Sequence, residues 1–371
     1  MPTRILDRKP YMPGMRSRLL GCLIGSAALA IVAQAHADDA PDTAPNHQVT
    51  FDHYSSLASG RELLDRVIRP LLAERLLADV AAKGTAIAEQ SIDLGQEHFA
   101  LYIPKSPAPP GGYGLMVFVP PWQQAAIPAR WLSVFDRHGM IVVAAAQSGN
   151  PENVVSRRIP LALTGYENVK LRYVLNPEHV YIGGFSGGSR VAMRTALAYP
   201  DIFRGALLNS GSDAIGTAEV PLPKADLFRQ FEEHSRLVYV TGSEDIAPLA
   251  SDRQSRESAG PLCIFGSVTF TMTHKEHEPA DSSNLERVLT TLEQPRSPEP
   301  KLEQCRARRT QEMGQQIAEV EHLIDAGKLG EAVKKLDQVD QHFGGLALPL
   351  TLDIARRLRA KGAWPMSKAG E

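Results

Sequence analysis

Five short apolar runs, at residues 115–119, 140–145, 179–182, 205–208 and 237–241, are separated by longer polar stretches of helical spacing. A strand buried on both faces reads as unbroken hydrophobe, and the intervals are long enough for crossover helices. The alternation therefore predicts an α/β fold with a parallel sheet covered on both sides. Residues 266–272 read as the last strand and residues 284–292 as the closing helix. At 371 residues and 43% apolar, the chain can bury one large core or two modest ones. Its glycines and prolines follow no period, which excludes a collagen-like chain.

Upstream of the sheet, residues 59–82 place Leu63, Leu64, Leu71, Leu72, Leu76 and Leu77 at helical spacing and predict one amphipathic helix kinked at Pro70. Residues 86–92 and 99–104 read as extended and predict a hairpin ahead of the main sheet. Downstream, Pro295, Pro298 and Pro300 among charges mark a linker over residues 295–304. Residues 305–371 then form a helical extension, with helices expected at 312–326, 330–341 and 350–359. Within it, residues 317–336 resemble a single tetratricopeptide-like hairpin. One such hairpin cannot bury its own apolar face, so it must pack on the main domain, a second copy or a partner. An accessory cap with no binding role is the plainer alternative.

The first 37 residues read as an export signal. Arg16 and Arg18 precede an apolar run over residues 19–33, and Ala35-His36-Ala37 supplies the small residues of a cleavage site. The run falls short of the roughly 20 residues a spanning helix needs, so no permanent membrane span is expected. Leu20-Gly21-Cys22 sits directly behind Arg18 with the apolar run after the cysteine, the wrong order for lipidation. Cleavage after Ala37 removes five basic residues and one acid, Asp7, from totals of 40 and 42. The mature chain then carries 35 positive and 41 negative groups, a formal charge of −6. The whole chain's formal charge of −2 already lacks the basic excess that phosphate-backbone binding demands, so nucleic acid is not expected as a partner. Residues 38–46 are expected to be a flexible start and residues 47–294 the main domain, in the periplasm or outside the cell. Cys263 and Cys305 remain after cleavage, enough for one disulfide in an oxidising compartment, with two buried thiols as the alternative.

Gly184-Phe185-Ser186-Gly187-Gly188 lies between the run at 179–182 and a helical stretch at 190–198. Small residues two positions either side of a serine at a strand-to-helix turn let strand and helix pass each other. The strained bend pushes the hydroxyl out at the C-terminal edge of the sheet. The helix N-terminus aims the Gly187 amide where an oxyanion would form, and the Lys-Ser/Thr pair of a phosphate-binding loop is missing. Such a serine needs an imidazole to take its proton and an acid behind it, in the chain order serine, acid, histidine. Asp245 follows the run at 237–241 across the turn Gly242-Ser243-Glu244, with Glu244 as the local competitor. His274 and His277 are the candidate bases. His234 precedes the acid, and the other histidines lie before the serine or in the tail. His277 is favoured because Glu278-Pro279 then turns the chain into the closing helix. The His274/His277/Glu278 cluster offers no fourth ligand for a metal, and no cofactor motif competes.

The stretch Asn176-Pro177-Glu178-His179-Val180-Tyr181-Ile182-Gly183-Gly184-Phe185-Ser186-Gly187-Gly188 is followed by Ala192-Met193, Ala198-Tyr199-Pro200-Asp201-Ile202-Phe203 and Ser210-Gly211. It resembles the polyhydroxybutyrate depolymerase and feruloyl esterase group of α/β-hydrolases. Thr241-Gly242-Ser243-Glu244-Asp245 is similar to that group's acid loop and His277-Glu278-Pro279 to its histidine loop. The resemblance implies an α/β-hydrolase fold with a mostly parallel central sheet, followed here by the helical extension. It also implies the triad roles for Ser186, Asp245 and His277 in a secreted, cofactor-free hydrolase of small or oligomeric carboxylic esters.

One position departs from the group. Where the group closes a strand with His-Gly, this chain has Pro120-Pro121 before Trp122-Gln123. Proline brings no N–H and a fixed φ, so the second oxyanion donor falls to the Trp122 amide. Trp122, Trp131 and Phe185 are the aromatic residues expected near the mouth, with Trp122 and Phe185 as substrate contacts. Loss of the second donor would instead leave a weak enzyme, or a periplasmic binding or scaffold protein that meets a partner or a second copy through its helical tail. N-terminal sequencing of the protein exported from cells expressing the whole chain is expected to begin at Asp38. An exported product that retains Arg16 and Arg18 would contradict the leader.

Overall fold

The computed structural model describes residues 47–363. The leader and the flexible start expected at residues 38–46 lie outside them. Among the described residues eight strands make one sheet: β1 (His47–Val49), β2 (Phe99–Tyr102), β3 (Tyr113–Val119), β4 (Met140–Ala145), β5 (Leu175–Phe185), β6 (Gly205–Asn209), β7 (Arg236–Gly242) and β8 (Ser267–Met272). Their order is β1-β2-β4-β3-β5-β6-β7-β8. Strands β3 to β8 pair parallel, while β1 and β2 run antiparallel at one edge. This is the mostly parallel α/β sheet that the apolar runs predict, and its strand order is that of the α/β-hydrolase fold the resemblance implies.

Side chains alternate across a strand, so each buried strand feeds two cores. Leu115, Val117, Val119, Val180 and Ile182 face one layer, and Met116, Phe118 and Tyr181 face the other. Before β2 come α1 (Gly60–Arg66) and α2 (Pro70–Lys83), and the crossovers that follow are α3 (Leu132–Arg137), α4 (Ile159–Arg172), α5 (Gly187–Ala198), α6 (Ala225–His234) and α7 (Ile246–Ala259), with α8 (Ser282–Glu293) closing the sheet. Helices α4, α5 and α6 pack on the first layer; α3 and α8 pack on the second.

Two upstream expectations are corrected. The single kinked helix over residues 59–82 is two helices, because Pro70 cannot donate to a carbonyl one turn back and instead opens α2 at its first position. Residues 86–92 are not a strand. The Glu89 carboxylate accepts the Gly60 N–H at 2.7 Å, and the Ala88 carbonyl oxygen lies 2.3 Å from where a Cβ on Gly60 would stand. That segment is engaged with the start of α1, and β2 takes β1 as its antiparallel partner instead.

The tail forms α9 (Leu302–Asp325), α10 (Leu329–Phe343) and α11 (Leu350–Ala360). Helix α9 starts well before residue 312, which shortens the expected linker. Its charged first turns carry no apolar period, yet Arg306 and Arg309 reach the buried Glu232 carboxylate at 2.8 and 2.6 Å. Cys263 and Cys305 are joined in a disulfide beside these pairs. On the far side, Val320, Ile324, Leu336 and Val339 of the hairpin pack with Ile354 and Leu358 of α11 and with Leu71 of α2. The apolar face that one hairpin cannot bury alone is therefore covered from within the chain.

Asp340 ties α10 to α2. Its fully buried carboxylate accepts the Leu71 N–H at 3.2 Å, one of the donors a helix start leaves unpaired, and lies 3.6 Å from the Arg69 guanidinium. Asp337 shares Arg69 and also faces Arg75. Burial pushes the Asp340 carboxyl up to about 6, against the pull of the Leu71 N–H and Arg69. A raised acid binds its proton more tightly in the folded state, so the stability it lends is full below pH 3.8 and is lost as the pH climbs to about 6. Asp340→Ala is expected to cost about 1 kcal/mol by uncapping α2. It is also expected to flatten the fall in melting temperature across that pH window. An unchanged pH slope would contradict this role.

Candidate active site

Ser186 stands between β5 and α5 with φ 54° and ψ −124°, a strained backbone for a residue with a side chain. The flanking glycines explain how the bend fits. A Cβ on Gly184 would lie 2.2 Å from the Gly188 carbonyl carbon, and one on Gly188 would lie 1.9 Å from the Val119 carbonyl oxygen. With both side chains missing, α5 crosses directly over the end of β3. The Ser186 N–H donates to the Asn209 carbonyl at 2.9 Å, which joins the bend to β6.

Asp245 follows β7 and is 8% exposed. His277 arrives on the loop after β8, which crosses close over Gly242: a Cβ there would stand 2.1 Å from the Lys275 carbonyl oxygen. His277 Nδ1 lies 2.8 Å from Asp245 Oδ2, and His277 Nε2 lies 2.9 Å from Ser186 Oγ. An ionised carboxylate only accepts, so the proton belongs on Nδ1 and the Nε2 lone pair faces the serine hydroxyl. The competitors pair with each other, His274 Nδ1 meeting Glu244 Oε1 at 3.3 Å on the exposed surface. Among the described residues, no cluster of three His, Cys, Asp or Glu side chains is arranged to hold a metal ion.

The expected aromatic contacts are placed differently from one another. Phe185 packs 4.8 Å from the His277 ring, centroid to centroid, and Trp122 packs 6.3 Å behind Phe185. Both are buried, so they form a wall behind the imidazole. Trp131 is fully buried and donates its indole N–H to the Ala280 carbonyl at 2.7 Å. Asn209 Oδ1 accepts the Ala280 N–H at 2.7 Å, and Arg130 donates to the Pro279 carbonyl. These groups anchor the histidine loop. Sequence reading missed Asn209 in that role, although a polar residue closing an apolar strand was its visible signal.

The Pro120-Pro121-Trp122-Gln123 loop is held by the segment after β4. Arg158 donates to the Pro120 carbonyl at 3.1 Å and to the Ser148 carbonyl at 2.8 Å. The Asn150 N–H donates to the Pro121 carbonyl at 2.9 Å. In a trans peptide the C=O and the next N–H point opposite ways, so the Trp122 N–H faces away from the Asn150 backbone. The Arg158 guanidinium is buried among these carbonyls, and burial pushes it down to about 10.

No family model and no curated protein matches this sequence. Solved structures match about half of it. A ferulic acid esterase aligns at 13% identity over 53% of this chain and 91% of its own, with a TM-score of 0.42. S-formylglutathione hydrolase from Staphylococcus aureus aligns at 12% over 53% and 93%, with a TM-score of 0.40. A chain named as a dipeptidyl aminopeptidase IV from Bacteroides ovatus aligns at 14% over 53% of this chain, with a TM-score of 0.39; the match spans 33% of that protein's length. The fold assignment rests on the strand order above, and these likenesses add nothing about activity. Gly188→Ala is expected to destabilise the protein by at least about 1–3 kcal/mol, because its Cβ would meet backbone that cannot swing aside. A melting temperature equal to wild type would contradict the close crossing of α5 over β3.

Proposed function

We propose that this protein is a secreted serine hydrolase that cleaves carboxylic esters through an acyl-enzyme. The observation that carries the reading is the continuous hydrogen-bond chain from Asp245 Oδ2 through His277 to Ser186 Oγ, at 2.8 and 2.9 Å. In this reading Ser186 Oγ attacks the ester carbonyl while His277 Nε2 takes its proton, and Asp245 stabilises the imidazolium that forms. The amides of Gly187 and Trp122 receive the oxyanion. Collapse of the tetrahedral adduct breaks the carbonyl–alkoxy bond, and the imidazolium returns its proton to the leaving alcohol. Water, deprotonated by the same imidazole, then releases the acid and restores Ser186.

The partial exposure of Ser186 and His277 supports direct access for an ester at the sheet edge. The leader supports work outside the cytoplasm. A fluorophosphonate probe is expected to label wild type at Ser186 with one adduct per chain and to leave Ser186→Ala unlabelled. Asp245→Asn is expected to lower kcat on a p-nitrophenyl ester by about 10⁴ through the wrong imidazole tautomer. A folded wild-type protein that takes no label and hydrolyses no ester would overturn the reading.

A further inference from the structure

We propose that the Asn150 carboxamide is a further, side-chain donor to the oxyanion, beside the amides of Gly187 and Trp122. The proposal rests on the serine-hydrolase reading and adds to it a residue from the loop after β4. A Cβ built on Gly187 would stand 2.1 Å from Asn150 Oδ1, 2.9 Å from its Cγ and 3.4 Å from Nδ2. The space that a side chain beside the nucleophile would fill is therefore occupied by this carboxamide. A Cβ lies about 2.5 Å from its own amide nitrogen, which puts Nδ2 within about 6 Å of the Gly187 N. Two donors to a single oxygen, each about 3 Å from it, stand within the same span.

The residue is held by its backbone and left open at its side chain. Its N–H is fixed on the Pro121 carbonyl. The neighbouring Gly149 N–H donates to Gln123 Oε1 at 3.2 Å, and Gln123 Nε2 donates to Glu152 at 2.8 Å. Arg158 locks the Ser148 and Pro120 carbonyls beneath them. Among the described residues no hydrogen bond restrains the exposed carboxamide, so a half-turn about χ2 exchanges Oδ1, now the nearer atom to Gly187, with the Nδ2 donor group. A neutral carboxamide carries two N–H donors and adds no charge to the resting site. Pro120 and Pro121 supply no backbone N–H, which makes an added donor from a second loop chemically apt. A donor at this position acts chiefly when negative charge develops on the carbonyl oxygen.

The test compares an oxygen ester with its thionoester, whose sulfur accepts hydrogen bonds weakly. In Asn150→Ala, kcat on the oxygen ester is expected to fall about 10²-fold, with KM within a few-fold of wild type. Turnover of the thionoester is expected to fall only a few-fold. Asn150→Asp, nearly isosteric but with an acceptor and a negative charge at the hole, is expected to fall further on the oxygen ester. Wild-type kcat in Asn150→Ala, or an equal loss on both substrates, would overturn the role of Asn150 while fluorophosphonate labelling of wild type still upholds the hydrolase. Wild type that neither labels nor turns over either substrate would remove both readings together.

Discussion

The passage of α5 over the end of β3, with backbone against backbone at Gly188, sets the geometry of everything around Ser186. Because no side chain separates the two elements, the turn between β5 and α5 has to close within one residue. That residue is forced to a positive φ. The strain lies in the main chain and is held by neighbouring main chain, so the place of the hydroxyl at the sheet edge depends on no side-chain contact of its own. A bend of this kind costs stability and persists only because its surroundings over-determine it.

Asp245 and His277 depend on a different constraint, the polar atoms left at the C-terminal ends of parallel strands. Asn209 ends β6 and accepts from the histidine loop; Gly242 ends β7 and lets that loop pass over it. Trp131 and Arg130, far away in sequence, hold the same loop through the Ala280 and Pro279 carbonyls. His277 therefore keeps its position although its ring is one-third exposed. Its near neighbour His274, with no such anchoring on its ring, faces solvent with Glu244.

Much of this was legible because residue type and chain order carry it. The central strands announce themselves as apolar runs, and a serine between small residues at a strand-to-helix turn has few structural uses. An acid and a histidine each following a later strand could then be sought in a short interval. Strand β1 was not legible, since three residues, His47 to Val49, show no periodicity and become a strand only through β2. The start of α9 was hidden for a related reason: Arg306 and Arg309 look like a solvated charge run until Glu232 is seen buried opposite them. Asn150 and Arg158 are equally silent in one dimension, because their significance lies in which carbonyls and which glycine they meet.

The cap on α2 comes from α10, across a sequence separation of 269 residues. Contacts this remote form slowly, since the loop they close must be ordered before they return any stability. During synthesis, then, the start of α2 keeps an unpaired donor until a residue 269 positions further along has been made and α10 has docked.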